Sequence, residues 1–333
     1  MSCGGGGEAR QPLRQLAARV PAALAGAVLS AGLVVVGPAG VHVGSLAPRA
    51  RSAIRATPAI ELPPHAGAWQ YQLQVASGSF VSTGGIDTAV CAPAVGAPAG
   101  APCRRPGLYD IDLDGPSGTS PNVAGVRAVR RAGAYPVCYV DAGTWERWRP
   151  DAGRFPRRLL GRPNGWPGER WLDVRSVTPL LAIMATRVEQ CRRAGFAAVE
   201  FDNVDGYDNA TGFPITAADQ LRYDRDLATL ADRAGLAAGL KNDYGQVAEL
   251  APSFDFAIDE SCAQYGQCGD LAPFVKAGKP VFDVEYAAPS ARLCAIGRSD
   301  HVDMITKHLS LFALPWSTCP SRSGRSPVPP RRS

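Results

Sequence analysis

Histidine is scarce in this sequence, which has only four among 333 residues, and no two cysteines form a Cys-x-x-Cys pair. Because zinc sites are built from such residues at close spacing, the sequence gives no support for one. No Gly-x-Gly-x-x-Gly motif follows a predicted strand, so a dinucleotide cofactor has no support either. Charged residues make up 20% of the chain and hydrophobic residues 46%, a balance that excludes wholesale disorder. We therefore expect a folded protein that needs no cofactor and no metal ion.

Acidic residues are almost absent from both ends of the chain. Residues 1–60 contain six arginines and one acid, and residues 321–333 contain four arginines and no acid. The whole chain has a formal net charge of +5, but residues 61–320 keep 25 basic and 29 acidic groups, a net charge of −4. The basic character therefore belongs to the ends, and we expect no nucleic acid as a partner.

Residues 1–40 have the pattern of a signal peptide or an N-terminal membrane anchor. Three arginines come first, and an uncharged apolar stretch follows over residues 20–37. The stretch is about as long as the shortest membrane spans, and no clear cleavage site follows it, so cleavage and retention both stay open. We expect export rather than a buried core helix, and hence a secreted protein or a membrane-anchored one with an extracellular domain.

Two further segments have the composition of linkers or tails. Residues 41–66 are rich in Pro, Ala and Gly, which predicts a linker. Residues 320–333 consist mostly of Ser, Arg and Pro, which predicts a disordered basic tail. The folded domain is therefore expected to span residues 67–319.

Eight of the nine cysteines follow the apolar stretch, and an even number in an exported protein favours disulfide bonds. Proximity in sequence favours Cys262–Cys268 first and Cys91–Cys103 second. Cys138–Cys191 and Cys294–Cys319 would complete the set on weaker grounds. For each cysteine, a buried free thiol is the alternative.

From residue 67 onward, short apolar segments alternate with longer helical ones, which is typical of a parallel sheet covered by helices. Eight such segments over about 250 residues fit a single (β/α)8 TIM barrel, of the α/β class, better than a doubly wound sheet. The predicted strands are Trp69–Leu73, Leu108–Leu113, Tyr135–Val140, Ala197–Asp202, Ala237–Leu240, Phe254–Ile258, Pro280–Val284 and Val302–Thr306.

Two of the intervening helices have clear start and stop signals. The pair Thr178-Pro179 predicts an N-cap and a first helical residue, and the pair Ala194-Gly195 predicts the end of that helix. Thr216 with Asp219 predicts a capping box for a second helix, which ends at the pair Ala234-Gly235.

Nearly every predicted strand ends with an acidic residue. In a TIM barrel the carboxyl ends of the strands meet at one rim, where catalysis takes place. Crowded carboxylates separate in pKa, which lets one site hold both a proton donor and an ionised nucleophile. Aromatic rings at the same ends suit stacking against sugars. The polar residues are Asp110, Asp112, Asp141, Asp202, Asp205, Lys241, Asn242, Asp243, Asp259, Glu260, Asp283 and Glu285, and the aromatic ones are Trp69, Tyr71, Tyr109, Tyr139, Trp145 and Tyr207.

Three simpler interpretations compete with a sugar site. The run DIDLDG at residues 110–115 resembles the start of a calcium loop, although Pro121 stands where that loop needs Glu. Lys241 could form a Schiff base and make the protein a lyase, but with so many acids nearby we favour an ion-paired lysine that positions substrate. Acids such as Asp205 and Asp208 serve equally well as turn caps.

Nine segments of the sequence, in order, match the pattern of one enzyme family. They are WQYQLQ (69–74), YDIDLDG (109–115), VCYVDAGTWERWRPD (137–151), GWPGERWLDVRS (165–176), EFDNVDGY (200–207), TGFPITAADQLRYDR (211–225), GLKND (239–243), FDFAIDESCAQY (254–265) and KPVFDVEY (279–286). Together they resemble glycoside hydrolase family 114, the endo-α-1,4-polygalactosaminidase family, which has a TIM-barrel fold. Two departures stand out: Asp141 replaces a more usual Ser, and residues 84–106 look like an insertion with an extra cysteine pair.

The resemblance implies a retaining α-glycosidase with one carboxylate ending the fourth strand and another ending the sixth. Asp202 would be the nucleophile and Glu260 the general acid and then base. It also implies a cationic amino-sugar polysaccharide as the substrate, which an acidic rim would attract. We expect a monomer, and the alternative is a non-catalytic sugar-binding barrel. The expected substrate-binding residues are Trp69, Tyr71, Asp110, Asp112, Tyr139, Asp141, Trp145, Asn203, Asp205, Lys241, Asn242, Asp259 and Glu285.

Overall fold

The computed structural model describes residues 59–65, 67–75 and 81–320. All of them belong to one compact unit that begins at Thr57. The predicted signal or anchor segment, most of the predicted linker and nearly all of the predicted tail lie outside the described residues. Within the described part of the chain, no helix combines the length and apolar character that a membrane span requires.

Eight parallel strands form a nearly closed barrel of the TIM-barrel type, as the sequence predicts. Their spatial order is β1-β2-β3-β7-β8-β9-β10-β11, and each of the seven neighbouring pairs is parallel. All eight predicted strands are present, with ends that differ by at most two residues. The strands are β1 Trp69–Gln72, β2 Leu108–Asp112, β3 Tyr135–Asp141, β4 Thr144–Glu146, β5 Leu160–Pro163, β6 Glu169–Leu172, β7 Ala198–Asp202, β8 Ala237–Lys241, β9 Phe256–Glu260, β10 Val281–Glu285, β11 Asp303–Lys307 and β12 Trp316–Thr318.

Four strands were not predicted. Strand β12 pairs antiparallel with β11, and β4, β6 and β5 form a small antiparallel sheet between β3 and the next helix. These strands are three or four residues long, too short for a hydrophobic period to show in the sequence. At the seam of the barrel, the Trp69 indole donates to the carbonyl of Asp303 at 2.9 Å, and the Trp316 indole donates to the carbonyl of Trp69 at 2.8 Å.

Helices cover the outer face of the barrel, and the two longest have 18 residues each. The capping box of Thr216 and Asp219 is confirmed, and the left-handed residue that ends each of these helices is the predicted glycine, Gly195 or Gly235. The prediction of an N-cap at Thr178 was wrong, because that helix already begins at Val177. Proline at the third helical position is tolerated, since the first-turn amides have no intrahelical acceptor. The helices are α1 Val123–Arg131, α2 Val177–Ala194, α3 Ala217–Ala234, α4 Val247–Leu250, α5 Cys262–Tyr265, α6 Ala272–Lys276 and α7 Ala291–Asp300.

Strand alternation divides the core into an inner and an outer layer. On β7, Val199 and Phe201 pack outward against the helices, whereas Ala198 packs inside the barrel. The same alternation directs Glu200 and Asp202 inward. The interior is filled by rings and small side chains in its lower part and by polar groups near the carboxyl ends of the strands.

The four predicted disulfides are all present. Cys138 on β3 is bonded to Cys191 on α2, and Cys294 on α7 to Cys319 after β12, so these two bonds tie helices to the sheet. The other two close the short loops Cys91–Cys103 and Cys262–Cys268. A set of four disulfides indicates an extracellular protein, because such bonds persist in oxidising compartments.

Gly239, on β8, tests how tightly the barrel interior is packed. A Cβ atom at this position would lie 2.5 Å from the Cζ atom of the Phe256 ring on the neighbouring strand. We therefore expect Gly239→Ala to lower the free energy of unfolding by about 1–3 kcal/mol, the usual cost of overpacking. The measurement is the midpoint of guanidinium chloride unfolding.

The matched control is Gly153→Ala, since a Cβ at Gly153 would have no neighbour within 4 Å. An unchanged midpoint for Gly239→Ala would show that the ring of Phe256 can move aside at no cost.

Candidate active site

Three polar side chains that end consecutive strands meet at the top of the barrel. Asp202 is the last residue of β7, Lys241 of β8 and Glu260 of β9. The Lys241 ammonium lies 3.2 Å from Asp202 Oδ1 and 3.5 Å from Glu260 Oε2, so it bridges the two carboxylates. Lys241 is only 1% exposed, whereas the side chains of Asp202 and Glu260 are 16% and 31% exposed. The two acids therefore face solvent and the lysine lies beneath them.

Each of these strands ends with a sharp turn into the left-handed region. The residues that follow are Asn203 with φ 59°, Asn242 with φ 51° and Ser261 with φ 61°. Left-handed non-glycine residues are costly and concentrate at functional sites, and asparagine tolerates the conformation best. The Asn203 side chain donates to Asp141 Oδ2 at 3.0 Å, and Asn242 Oδ1 accepts the Glu260 backbone N–H at 3.0 Å. These asparagines hold the strand ends, and both remain partly exposed at the rim.

Tyrosine hydroxyls hold both candidate catalytic acids. Tyr139 donates to Asp202 Oδ2 at 2.6 Å, and Tyr286 donates to Glu260 Oε1. Burial raises the pKa of both tyrosines well above the usual value, and the adjacent carboxylates raise it further, so both stay protonated donors. The Tyr71 hydroxyl accepts from Lys241 at 2.9 Å. Sequence reasoning named Tyr71 and Tyr139 but missed Tyr286, the residue that directly follows β10.

Lys241 keeps its charge despite burial. Desolvation alone would lower the pKa of the ammonium, but the carboxylates of Asp202 and Glu260, with smaller contributions from Tyr71 and Glu200, raise it well above the usual value. A Schiff-base nucleophile must be a neutral amine. The environment of Lys241 therefore fits an ion-paired lysine and gives no support to a lyase.

A second pair of acids lies deeper in the barrel. Asp110 on β2 and Glu200 on β7 are fully buried, and their carboxyl groups lie close enough to affect each other's pKa. Burial raises the pKa of Asp110 well above the usual value and that of Glu200 to about 7, against the opposing effect of Lys241. Sequence reasoning placed Asp110 in contact with substrate and missed Glu200. Glu200 lies two residues before Asp202 on the same strand, so both side chains point to the same face, and this spacing was the signal available in the sequence.

Asp141 ends β3 beside the candidate nucleophile and contacts the small antiparallel sheet. Its side chain accepts from the Thr144 backbone N–H at 2.8 Å and also from the Thr144 hydroxyl. Burial raises its pKa well above the usual value, and the charges of Glu146 and Asp202 raise it further. Glu169 on β6 is half-buried, and burial raises its pKa to about 7. The small sheet thus adds two carboxyl groups, Glu146 and Glu169, that the sequence analysis did not name.

Among the residues that the structure describes, two clusters each bring three potential metal ligands within 4.8 Å of one another. One contains Cys262, which is bonded to Cys268 and so has no thiolate to offer. In the other, Asp141, Glu146 and Glu169, every residue already accepts hydrogen bonds from protein donors. Neither cluster therefore indicates a metal site.

Asp112 lies at the rim, but its carboxylate forms an ion pair with an arginine. Arg149 lies 2.5 Å from Asp112, 3.4 Å from Asp114 and 2.6 Å from Glu146. Because Asp112 and Asp114 are the second and third acids of the calcium-like run, this ion-pair network argues against the calcium interpretation. Asp205 lies close enough to Asp202 for that charge to add to the effect of burial, and its pKa rises to about 6.

Several residues expected to bind substrate do not reach the pocket. Trp69 is fully buried at the barrel seam, and the Trp145 indole donates to the carbonyl of Ala152 at 3.0 Å. Asp259 is fully buried on the outer side of β9, because it alternates with the inward-facing Glu260. Glu285 likewise lies outside β10, where it accepts the Ala263 backbone N–H at 2.6 Å. We therefore no longer count Trp69, Asp259 and Glu285 among the candidate substrate contacts, whereas the half-buried Trp145 remains one.

The arrangement as a whole is that of a barrel glycoside hydrolase: two carboxylates face one cleft at the carboxyl ends of the strands. Comparison with protein families agrees, since the model of glycoside hydrolase family GH114 matches residues 49–324. The chain belongs to this family.

The chain is also similar to solved structures. Ega3 from Aspergillus fumigatus, determined in complex with galactosamine, is 28% identical with a TM-score of 0.62, and the match covers 80% of this chain and 99% of that one. The glycoside hydrolase domain of PelA from Pseudomonas aeruginosa is 17% identical with a TM-score of 0.47, and the match covers 61% of this chain and 88% of that one. No curated protein sequence matches the chain.

The hydrogen bond from Tyr139 to Asp202 provides a direct test of the site. A hydrogen bond to a charged group contributes about 1.5–3 kcal/mol, so Tyr139→Phe should lower the hydrolytic rate constant about 10- to 100-fold. The readout is kcat on a substrate that the wild-type protein cleaves.

Tyr223→Phe is the matched control, because that tyrosine is also buried but its hydroxyl donates to the carbonyl of Ala142 at 2.8 Å. Equal losses in the two variants would mean that Tyr139 serves the fold and not the acid.

Proposed function

We propose that this protein is an exported, endo-acting hydrolase of α-1,4-linked galactosamine polymers, with Asp202 as nucleophile and Glu260 as general acid and then base. The observation that carries the proposal is the Lys241 bridge between the two acids, 3.2 Å from one and 3.5 Å from the other. Membership of family GH114 supports the reaction class.

The two acids are held in ways that suit different roles. Both oxygens of Asp202 accept hydrogen bonds, Oδ1 from Lys241 and Oδ2 from Tyr139, which fixes the orientation of the carboxylate as a nucleophile requires. Glu260 is the more exposed acid, which suits a group that must reach the leaving oxygen. In the first step Asp202 would attack the anomeric carbon while Glu260 protonates the leaving oxygen. In the second step Glu260 would take a proton from the water that releases the sugar.

The geometry favours retention of the anomeric configuration. Asp202 Oδ1 and Glu260 Oε2 both lie within 3.5 Å of one ammonium nitrogen. These two oxygens are therefore at most about 7 Å apart. This limit allows the spacing of about 5–5.5 Å found in retaining enzymes, but only the low edge of the range of about 6.5–9.5 Å found in inverting ones.

The acids around the cleft support a cationic substrate. Besides Asp202 and Glu260, the carboxyl groups of Asp141, Asp205 and Glu169 lie near enough to interact electrostatically with the nucleophile. An ammonium group of a substrate would stabilise the ionised forms of these acids, whose pKa values are raised in its absence, so the site favours a cationic sugar. The similar protein Ega3 was determined with galactosamine bound, which agrees with an amino sugar.

Exposed aromatic residues support a polymeric substrate. Trp148 is 49% exposed and lines a cavity at the rim together with Gln72 and Asp112, and Trp166 is 55% exposed beside β6. Exposed indoles next to polar groups stack on sugar rings, and more than one such platform suits an extended chain.

Export is part of the same proposal. Four disulfides lie in the described domain. A segment with three arginines, followed by an apolar stretch, precedes this domain in the sequence. A polysaccharide outside the cell would be accessible to such an enzyme.

The proposal is tested by incubating the full chain with α-1,4-linked galactosamine oligomers and with their N-acetylated counterparts, followed by product analysis. We expect shorter oligomers from the galactosamine series. Asp202→Asn and Glu260→Gln should each lower turnover at least about 1,000-fold, since each removes a group that reacts directly.

Glu189→Gln is the control, because Glu189 lies on the outer surface of α2 and pairs only with Arg192 and Arg193. Binding of the oligomers without any cleavage would support the non-catalytic sugar-binding barrel instead. Cleavage that persists in Asp202→Asn would overturn the assignment of the nucleophile.

A further inference from the structure

Four buried oxygen atoms that accept no hydrogen bond belong to α3 and to the loop that follows β8. They are Gln220 Oε1 and Asp224 Oδ2 on α3, and Asp243 Oδ2 and Gln246 Oε1 in the loop. None of these four residues is more than 6% exposed. Burial of a polar atom without a partner is costly, so each of these oxygens requires one.

Contacts of the two glutamines tie the loop to the helix at this point. The Gln220 side-chain amide donates to Asp224 Oδ1 at 2.8 Å, so the Gln220 amide group lies against the Asp224 carboxylate. The Gln246 side-chain amide donates to the carbonyl of Ala217, the first residue of α3, at 2.7 Å. Both amide groups thus have their nitrogen engaged and their oxygen unpartnered.

Asp243 approaches the same place from the loop. After burial, its charge is the strongest influence on the Asp224 carboxyl group, so the two carboxyl groups lie close together. Tyr207 donates to Asp243 Oδ1 at 3.0 Å, and a Cβ atom at the preceding Gly206 would lie 3.3 Å from Gln220 Oε1. The loops after β7 and β8 therefore both meet α3 beside these oxygens.

Acceptors outnumber donors in this group of side chains. Both amide nitrogens and the Tyr207 hydroxyl donate to atoms other than the four oxygens. Within the described part of the chain, neither Asp224 nor Asp243 forms an ion pair with a lysine or an arginine. A buried set of acceptors without donors requires either protons or a cation.

The chemistry of the ligands selects the kind of cation. All four atoms are oxygens, two from carboxylates and two from amides, and hard cations prefer such ligands. Calcium takes about six to eight oxygen ligands in flexible geometry, whereas magnesium usually keeps several waters and is held by one or two carboxylates. Two carboxylates also balance the charge of one divalent ion. A buried site with amide oxygens therefore favours calcium.

We propose that Gln220, Asp224, Asp243 and Gln246 form a calcium site that joins α3 to the loop after β8. The site is separate from the calcium-like run at residues 110–115 and takes no part in the proposed reaction. Its effect would be structural, because the same loop contains Asn242, whose Oδ1 accepts the Glu260 backbone N–H at 3.0 Å. A bound ion would thus stabilise the rim from outside the barrel.

Protons are the alternative to a cation. Burial raises the pKa of Asp243 to about 8 and that of Asp224 well above its usual value, so both groups can take up protons where no cation is bound. Calcium distinguishes the two states. If protons alone satisfy these oxygens, calcium will neither bind nor stabilise the fold. A calcium site will bind one ion and raise the unfolding temperature.

The test uses the full chain, treated with EDTA, freed of the chelator and titrated with calcium chloride. We expect isothermal calorimetry to show one ion bound per chain. The midpoint of thermal unfolding should rise by about 5–10 °C at a calcium concentration roughly 100-fold above Kd. Asp224→Asn and Asp243→Asn should each weaken calcium binding at least about 10-fold, because each removes one of the two ligand charges.

Two control variants locate the ion. Asp259→Asn changes another fully buried carboxyl group without a hydrogen-bond donor, on β9, and should keep the response to calcium. Asp112→Asn alters the calcium-like run and should also keep it. Loss of the response in Asp112→Asn, together with its retention in Asp224→Asn, would place the ion in that run and overturn the proposal.

The measurements on the unmodified protein do not depend on any variant. Absence of one-site calcium binding overturns the proposal even if Asp224→Asn and Asp243→Asn fail to fold. A response to magnesium or sodium without a response to calcium likewise overturns it. None of these readouts requires cleavage of a polymer, so the calcium site and the proposed function are tested separately.

Discussion

One buried ammonium group organises the site. Lys241 lies within 3.5 Å of Glu200, Asp202 and Glu260, and a lysine this deep stays charged only because carboxylates surround it. The lysine in turn holds Asp202 and Glu260 at a fixed position relative to each other, 3.2 and 3.5 Å from its nitrogen. The roles proposed for the nucleophile and the general acid both depend on this arrangement.

The barrel supplies the geometry that makes this ion cluster fit. Because β7, β8 and β9 are adjacent and parallel, their last inward-facing residues fall within one small volume. A left-handed residue after each strand then turns the chain away at once and leaves the acids open to the cleft. The hydroxyls of Tyr139 and Tyr286 donate to the two acids, and the small antiparallel sheet holds the neighbouring Asp141. The disulfides Cys138–Cys191 and Cys294–Cys319 hold helices against the same strands.

The sequence predicted the fold in considerable detail. Eight strands, two helix ends and four disulfides were placed from apolar periodicity, turn residues and cysteine spacing, because all of these are local signals. The short strands of the small sheet and the start of α2 at Val177 were not predicted. Neither feature has a periodic sequence pattern that distinguishes it from a loop. The motif EFDNVDGY correctly placed Asp202 at the end of one strand. The segment FDFAIDESCAQY placed its partner Glu260 at the end of another.

What the sequence by itself determined is that acids end the barrel strands; which of them share a site was decided by tertiary structure. Neighbouring residues on a strand point to opposite faces, so Glu260 enters the cleft while Asp259 is buried behind it. Arg149 forms an ion pair with Asp112. The small sheet brings Glu169 close to Asp141, although the two residues are far apart in sequence. These outcomes depend on side-chain direction and on long-range contacts, and no local pattern encodes either of them.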